Sequence, residues 1–205
     1  MTTLTTEHAR AWADRFVAVG KDRDSELTEL DRKAGDGDYG TNLRSALRRV
    51  AANLEAGPAD SPHAVFLAIS EAFLNTGGTS GPLFGMWFRE FAKAAKDKPV
   101  TATVLGEAAT NAVAVVQRLG KAEVGHKTMV DAMAPAAEAL TAAAARGADV
   151  AGALAEAAKA AHIGAASTEK LLAKRGRASY VGEHARGVID PGALTVAYFF
   201  DAASH

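Results

Sequence analysis

The chain contains no cysteine, which excludes disulfides, thiolate metal sites and cysteine nucleophiles. It also lacks a long apolar run. No segment approaches the roughly 18 unbroken apolar residues that span a bilayer, and the opening MTTLTTEHARAWADRF has no basic region leading into an apolar stretch, as an export signal would. Charge of one sign is missing too. Lys plus Arg number 23 against 24 Asp plus Glu, a net charge of -1, so no global field draws the chain to nucleic acid or an anionic membrane, and any anion site has to be local. Alternating runs of β-branched and aromatic residues are almost absent, which argues against sheet. What these absences leave is a soluble, cytoplasmic, all-α protein, and 205 residues suit a single domain over 1–205.

Apolar residues do recur, at helical spacing. Ala9, Trp12, Phe16 and Val19 fall on one face of a first helix, and a second covers 24–33 before a glycine-rich stretch penalises continuation. A third resumes at about Thr41 with Leu43, Leu47 and Val50 as its stripe. The fourth has Ser61 as N-cap, Pro62 at its first position and Gly77 at its stop. Phe84, Trp87, Phe88 and Phe91 mark a core helix in GPLFGMWFREFAKAAK. Further helices are expected over 101–119, 128–146, 150–174 and 192–203, the last opened by Asp190 as cap and Pro191. The alanine-built 150–174 segment suits close helix approach. Four junctions, 31–42, 76–82, 120–128 and 175–192, are longer or richer in polar residues than helix turns need, and an up-and-down bundle can gather them at one end.

The first junction holds Gly35, Gly37 and Gly40 in G-x-G-x-x-G spacing. A dinucleotide turn follows a strand, whereas a helix precedes this one, and Asp36 and Asp38 would repel a bare phosphate. An EF-hand loop fails as well, with Thr41 at position six and Leu47 at position twelve. GKAEVGHKT approaches the P-loop pattern, but His126 is inserted before Lys127 and the preceding segment is helical. Two readings of the acidic loop stay open. Asp36 and Asp38 are turn residues beside glycines, or with Asp31 they are hard ligands for magnesium, which takes one or two carboxylates per ion and leaves its other positions to water and phosphate. Thr79 and Ser80 in GGTSG either hold phosphate oxygens or merely connect helices. Lys174, Arg175 and Arg177 either face a ligand or close the preceding helix, where cations suit the dipole. His126 and His184 lie in junctions, while His8, His63, His162 and His205 read as surface or helix-face residues.

Taken together, LDRKAGDGDYGTNL, GGTSGPLFG, GKAEVGHKTMVDAMAPA and GRASYVGEHARGVIDPGA resemble the ADP-binding subunit of dihydroxyacetone kinase, the DhaL-type family, over almost the whole chain. The resemblance implies an eight-helix antiparallel barrel of amphipathic helices with ADP or ATP held at one end through two magnesium ions. Carried over, it makes Asp31, Asp36 and Asp38 the magnesium ligands and catalytic carboxylates. Tyr39, Gly40, Thr41 and Asn42 would meet the nucleotide, Thr79 and Ser80 the phosphates, and Gly120, Met129, Arg177, Asp190, Pro191 and Gly192 the adenosine. Tyr39 stands where the family commonly has His, and His126 where it has Asp; both departures touch fine tuning such as nucleotide retention rather than metal binding. The family implies a separate sugar-binding subunit as partner, with dihydroxyacetone or a related short ketose as acceptor. The donor is either a phosphohistidine protein of the phosphotransferase system, recharging bound ADP in place, or freely exchanging ATP. The fatty-acid kinase type, an erythrulose kinase and a non-catalytic ADP-binding module are the rival readings, and a homo-oligomer is compatible with all of them.

Overall fold

A computed structural model describes residues 2–57 and 59–203; His205 lies outside them. Every regular element among the described residues is helical: α1 (Thr6–Asp22), α2 (Asp24–Ala34), α3 (Tyr39–Ala56), α4 (Pro62–Leu74), α5 (Ser80–Ala94), α6 (Ala102–Gly120), α7 (Val130–Ala145), α8 (Val150–Ser167), α9 (Ala178–Val181) and α10 (Pro191–Asp201), with 3₁₀ turns at Thr168–Lys170 and Gly182–Ala185. The resemblance implies eight helices; the additional ones arise because the chain breaks at Arg23 between α1 and α2 and because α9 is a single turn. No described helix is long and apolar enough to cross a membrane.

Capping chemistry sets several of these boundaries. Thr5, Ser61, Thr101, Asp149 and Asp190 each accept an amide of the first turn that follows, satisfying donors that a helix start leaves without intrahelical partners. Three of the ends that differ from the sequence expectation have a visible cause. α3 begins at Tyr39 rather than Thr41, because the Asp31 carboxylate takes the Tyr39 N–H at 2.9 Å. α4 stops at Leu74, where Asn75 and Thr76 turn their side chains back onto the carbonyls of Glu71 and Ala72, each at 2.8 Å. α8 stops at Ser167 instead of running to 174. The buried Thr168 hydroxyl donates to the Ala165 carbonyl at 2.6 Å and accepts the Asp190 amide at 2.9 Å, which ties the chain to the start of α10.

From α3 to α8 each helix packs on the next, and α10 lies against α7, α8, α1 and α2, which close back onto α3. α10 is buried on every side from Pro191 to Phe200, as expected of a helix that is apolar all round. Its Phe199 ring sits within 4.5 to 5.3 Å of Trp12, Phe16, Trp87 and Phe88, and the Phe199 carbonyl accepts the Trp12 indole N–H at 2.6 Å. Val17 takes a buried place beside Phe16, while Val19 sits at the edge of the core. α7 and α8 pack through alanine. There Gly164 is obligatory: a Cβ would stand 2.1 Å from the Asp131 carbonyl oxygen. Pro135, inside α7, supplies no N–H to that carbonyl four residues earlier.

Candidate functional site

The acidic loop joins α2 to α3. Asp31, in the last turn of α2, is only 8% exposed. The chain crosses this carboxylate so closely that a Cβ on Gly35 would lie 2.2 Å from Asp31 Oδ1, and it reverses at Gly37 with φ of 80°. Asp36 and Asp38 remain exposed. Burial pushes the Asp31 carboxyl up; the Tyr39 amide opposes that shift, and the charges of Asp36 and Asp38 add to it. A divalent cation beside Asp31 would relieve the part of that shift that comes from the neighbouring charges.

As they stand, no three His, Asp or Glu side chains among the described residues are grouped to enclose a metal ion. Asp36 is turned toward Arg177, with Nε 2.8 Å from Oδ2, and Asp31 is engaged by Tyr39. The donor chemistry nonetheless fits magnesium, since it offers hard carboxylate oxygens from one buried and two accessible residues that line one cleft.

That cleft measures about 480 Å³, within the range of pockets that hold small molecules, and residues of all four junctions line it. Asp31, Asp36, Asp38, Tyr39 and Asn42 come from the first, and Thr79 and Ser80 from the second. Gly120 and Met129 bound the third, and Arg177, Asp190, Pro191 and Gly192 come from the fourth. Gly40 and Thr41 do not line it. Gly40 is buried within α3, and Thr41 is exposed, its hydroxyl accepting from the Arg44 guanidinium at 3.2 Å. The Tyr39 hydroxyl donates to Thr195 Oγ1 at 2.7 Å, so this residue links α3 to α10 while burial raises its pKa. Burial also pushes the Asp190 carboxyl up to about 7; the Ala193 amide and Lys127 oppose the shift, and Asp131 and Asp31 reinforce it.

Two organising residues escape sequence reasoning. Asp131, buried in the first turn of α7, accepts the amides of Gly125 at 2.5 Å and Thr128 at 2.8 Å and so shapes the third junction. Its signal was available, because acidic residues suit a helix start. Lys127 is 1% exposed and donates to the carbonyls of Thr168, at 2.6 Å, and Val188. Only the near match to a P-loop pointed to it, and that pattern assigns a lysine to phosphate rather than to main chain.

Comparison with known proteins supplies the remaining finding. The sequence pattern of the DAK2 domain matches residues 33–205. The PEP-dependent dihydroxyacetone kinase 1, ADP-binding subunit DhaL, of Listeria innocua is 32% identical over 98% of this chain and 96% of its own length. The corresponding PEP-dependent ADP-binding subunit of Escherichia coli is 35% identical over 91% of this chain and 90% of its own. Among solved structures, the dihydroxyacetone kinase from C. freundii in complex with AMP-PNP and Mg2+ superposes with a TM-score of 0.73 at 28% identity, over 100% of this chain and 34% of that one.

Proposed function

The chain belongs to the DAK2-domain family of dihydroxyacetone kinase ADP-binding subunits, and on that premise we propose that it is the nucleotide-holding component of such a kinase. The observation that carries this reading is a single cleft lined by three carboxylate residues, Asp31, Asp36 and Asp38, together with Thr79 and Ser80.

In this reading Asp31, Asp36 and Asp38 hold two magnesium ions. When bound, magnesium supplies charge neutralisation and orientation for a phosphate chain. The protein's own contribution is positional. Thr79 and Ser80 offer hydroxyls, and Ser80 opens α5, whose positive dipole end favours phosphate. Met129, Gly120 and the Asp190–Pro191–Gly192 turn also line the cleft, and in this reading they frame the adenosine. Arg177 lies over the acidic side, where it adds positive charge beside the phosphates. The acceptor, dihydroxyacetone or a related short ketose, is held on a separate sugar-binding subunit in the cytoplasm. The names of the bacterial relatives specify PEP dependence, which favours ADP retained here and recharged in place by a phosphohistidine protein.

Mass spectrometry of nucleotide released on denaturing the purified protein should find ADP. Mixing the protein with magnesium, a sugar-binding subunit, dihydroxyacetone and a phosphohistidine donor should yield phosphorylated dihydroxyacetone. Failure of ADP to bind in the presence of magnesium would overturn the nucleotide role, and turnover with ATP but not with phosphohistidine would overturn recharging in place.

A further inference from the structure

The longest connection in the fold, 168–190 between α8 and α10, runs beside the cleft with almost no core of its own: from 171 to 187 only Ala173 and Ala185 are buried. A segment without apolar burial is held by polar bonds or is not held at all. Its outer part is fixed at three points. The Lys174 amide donates to the His126 carbonyl at 3.1 Å, the Arg175 Nε to the Lys121 carbonyl at 2.6 Å, and Arg177 pairs with Asp36 at 2.8 Å. The Arg175 and Arg177 side-chain contacts are exposed, and an exposed ion pair contributes little.

The neck is built differently. Glu169 O accepts the Gly187 amide at 2.7 Å, and Lys170 O accepts from the Arg186 guanidinium at 3.1 Å. Beneath them the Lys127 ammonium bonds the carbonyls of Thr168 and Val188, one on each side of the neck. Burying an ammonium is costly unless it is bonded and its charge offset. Burial lowers the pKa of this ammonium, the charges of Asp190, Asp131 and Glu169 oppose that shift, and two carbonyls accept its hydrogen bonds. Lys127 also adopts a left-handed φ of 60°, which a side-chain-bearing residue reaches only when its surroundings require it.

We propose that Lys127 is a positioning residue that clasps the two ends of the 168–188 segment and thereby sets Arg175 and Arg177 over the cleft, rather than a lysine that binds phosphate itself. The structural part stands on the bonds at the neck; its consequence for nucleotide rests on the function proposed above.

The outer part of the segment carries Lys174, Arg175 and Arg177, which makes limited trypsin digestion of the intact chain, without nucleotide, a direct readout. Lys127→Met should be cut in this stretch at least about tenfold faster than the unaltered protein, because a charged donor to two carbonyls is lost, with the helical circular dichroism retained. Lys127→Gln keeps an uncharged donor and should fall between the two. A fluorescent ADP analogue bound with magnesium should dissociate faster from both variants, in the same order.

Unchanged cutting with weakened ADP binding would mean that Lys127 meets the nucleotide directly and would overturn the proposal, as would cutting spread over the whole chain. Should Lys127→Met not fold, Lys127→Gln and Thr168→Ala, which removes the hydroxyl bond to the Asp190 amide, test the neck by the same digestion. If the unaltered protein binds no ADP, the functional reading fails, and the clasp is still decided by the digestion.

Discussion

The interior around Phe199 and the cleft mouth are stabilised by opposite means. The interior is aromatic and dry, with Trp12, Phe16, Trp87, Phe88 and Phe91 ringed about one phenylalanine. The mouth has no such cluster. It is held by single polar bonds, among them Asp31 to the Tyr39 amide, Asp131 to two loop amides and Lys127 to two carbonyls. Burial disfavours the charged form of its Asp31 carboxyl, whereas the rings packed around Phe199 carry no ionisable group. Stability and chemistry are thus separated in space, although α10 joins them, with Phe199 near one end and Asp190–Pro191–Gly192 at the other.

The largest expected effect tests whether α10 transmits damage. Phe199→Ala should cost about 3–5 kcal/mol in urea unfolding, while ADP affinity measured below the transition stays near that of the unaltered protein. If affinity falls along with stability, the two regions are coupled and the comparison fails. From the other side, Asp36→Ala should lower phosphoryl transfer in the reconstituted kinase by more than about 100-fold, the scale expected when a metal site is impaired, with no loss in thermal midpoint. Retained transfer would remove Asp36 from the metal site.

A smaller effect is expected at Arg177, because both partners of its pair with Asp36 are well exposed. Arg177→Ala should change stability by less than about 1 kcal/mol. It should nevertheless release ADP several-fold faster and bind magnesium more tightly, since Asp36 loses a competing cation; the magnitude follows from one charge-assisted contact, roughly 1.5–3 kcal/mol at most. Equal magnesium affinity in the two proteins would show that the pair does not compete with the metal.

The same division explains what the sequence made legible. Helical periodicity identified the aromatic helices because each buried ring is a local fact, repeated every three or four residues. The convergence of the four junctions was also legible, since packing successive helices side by side brings alternate connections together. The pairing of Arg177 with Asp36, 141 positions apart by their numbers, was not, because no local pattern encodes it. The end of α8 was missed because Thr168 is stopped by a bond to Asp190, a tertiary contact overriding a run of good helix formers. Lys127 was noticed for its glycine-rich surroundings, yet its role depends on two carbonyls far along the chain. Residues that pack are visible in a sequence by their spacing; residues that staple distant loops are visible only once the loops have met.

The finest test of the comparison is a proton. In the folded protein the Asp190 carboxyl is pushed up to about 7 from an ordinary 3.8, chiefly by burial. Between those values the folded state keeps a proton that the unfolded chain has released, so this group's contribution to stability is fully present below about pH 4. It declines as pH rises toward 7, with a slope of at most about 1.4 kcal/mol per pH unit. Asn is an equally good helix cap and preserves the bond that the Ala193 amide makes at 2.8 Å, so Asp190→Asn keeps the cap while removing the titration and the charge that the ionised group presents to Lys127. Urea midpoints measured from pH 5 to pH 8 should show the variant gaining on the unaltered protein as pH rises to about 7 and running parallel above it. Parallel profiles throughout would mean that Asp190 ionises as freely as a surface carboxylate. The mouth would then be open to solvent at the very helix start that anchors it to the interior, and the contrast between dry core and polar cleft would have to be redrawn closer to Phe199.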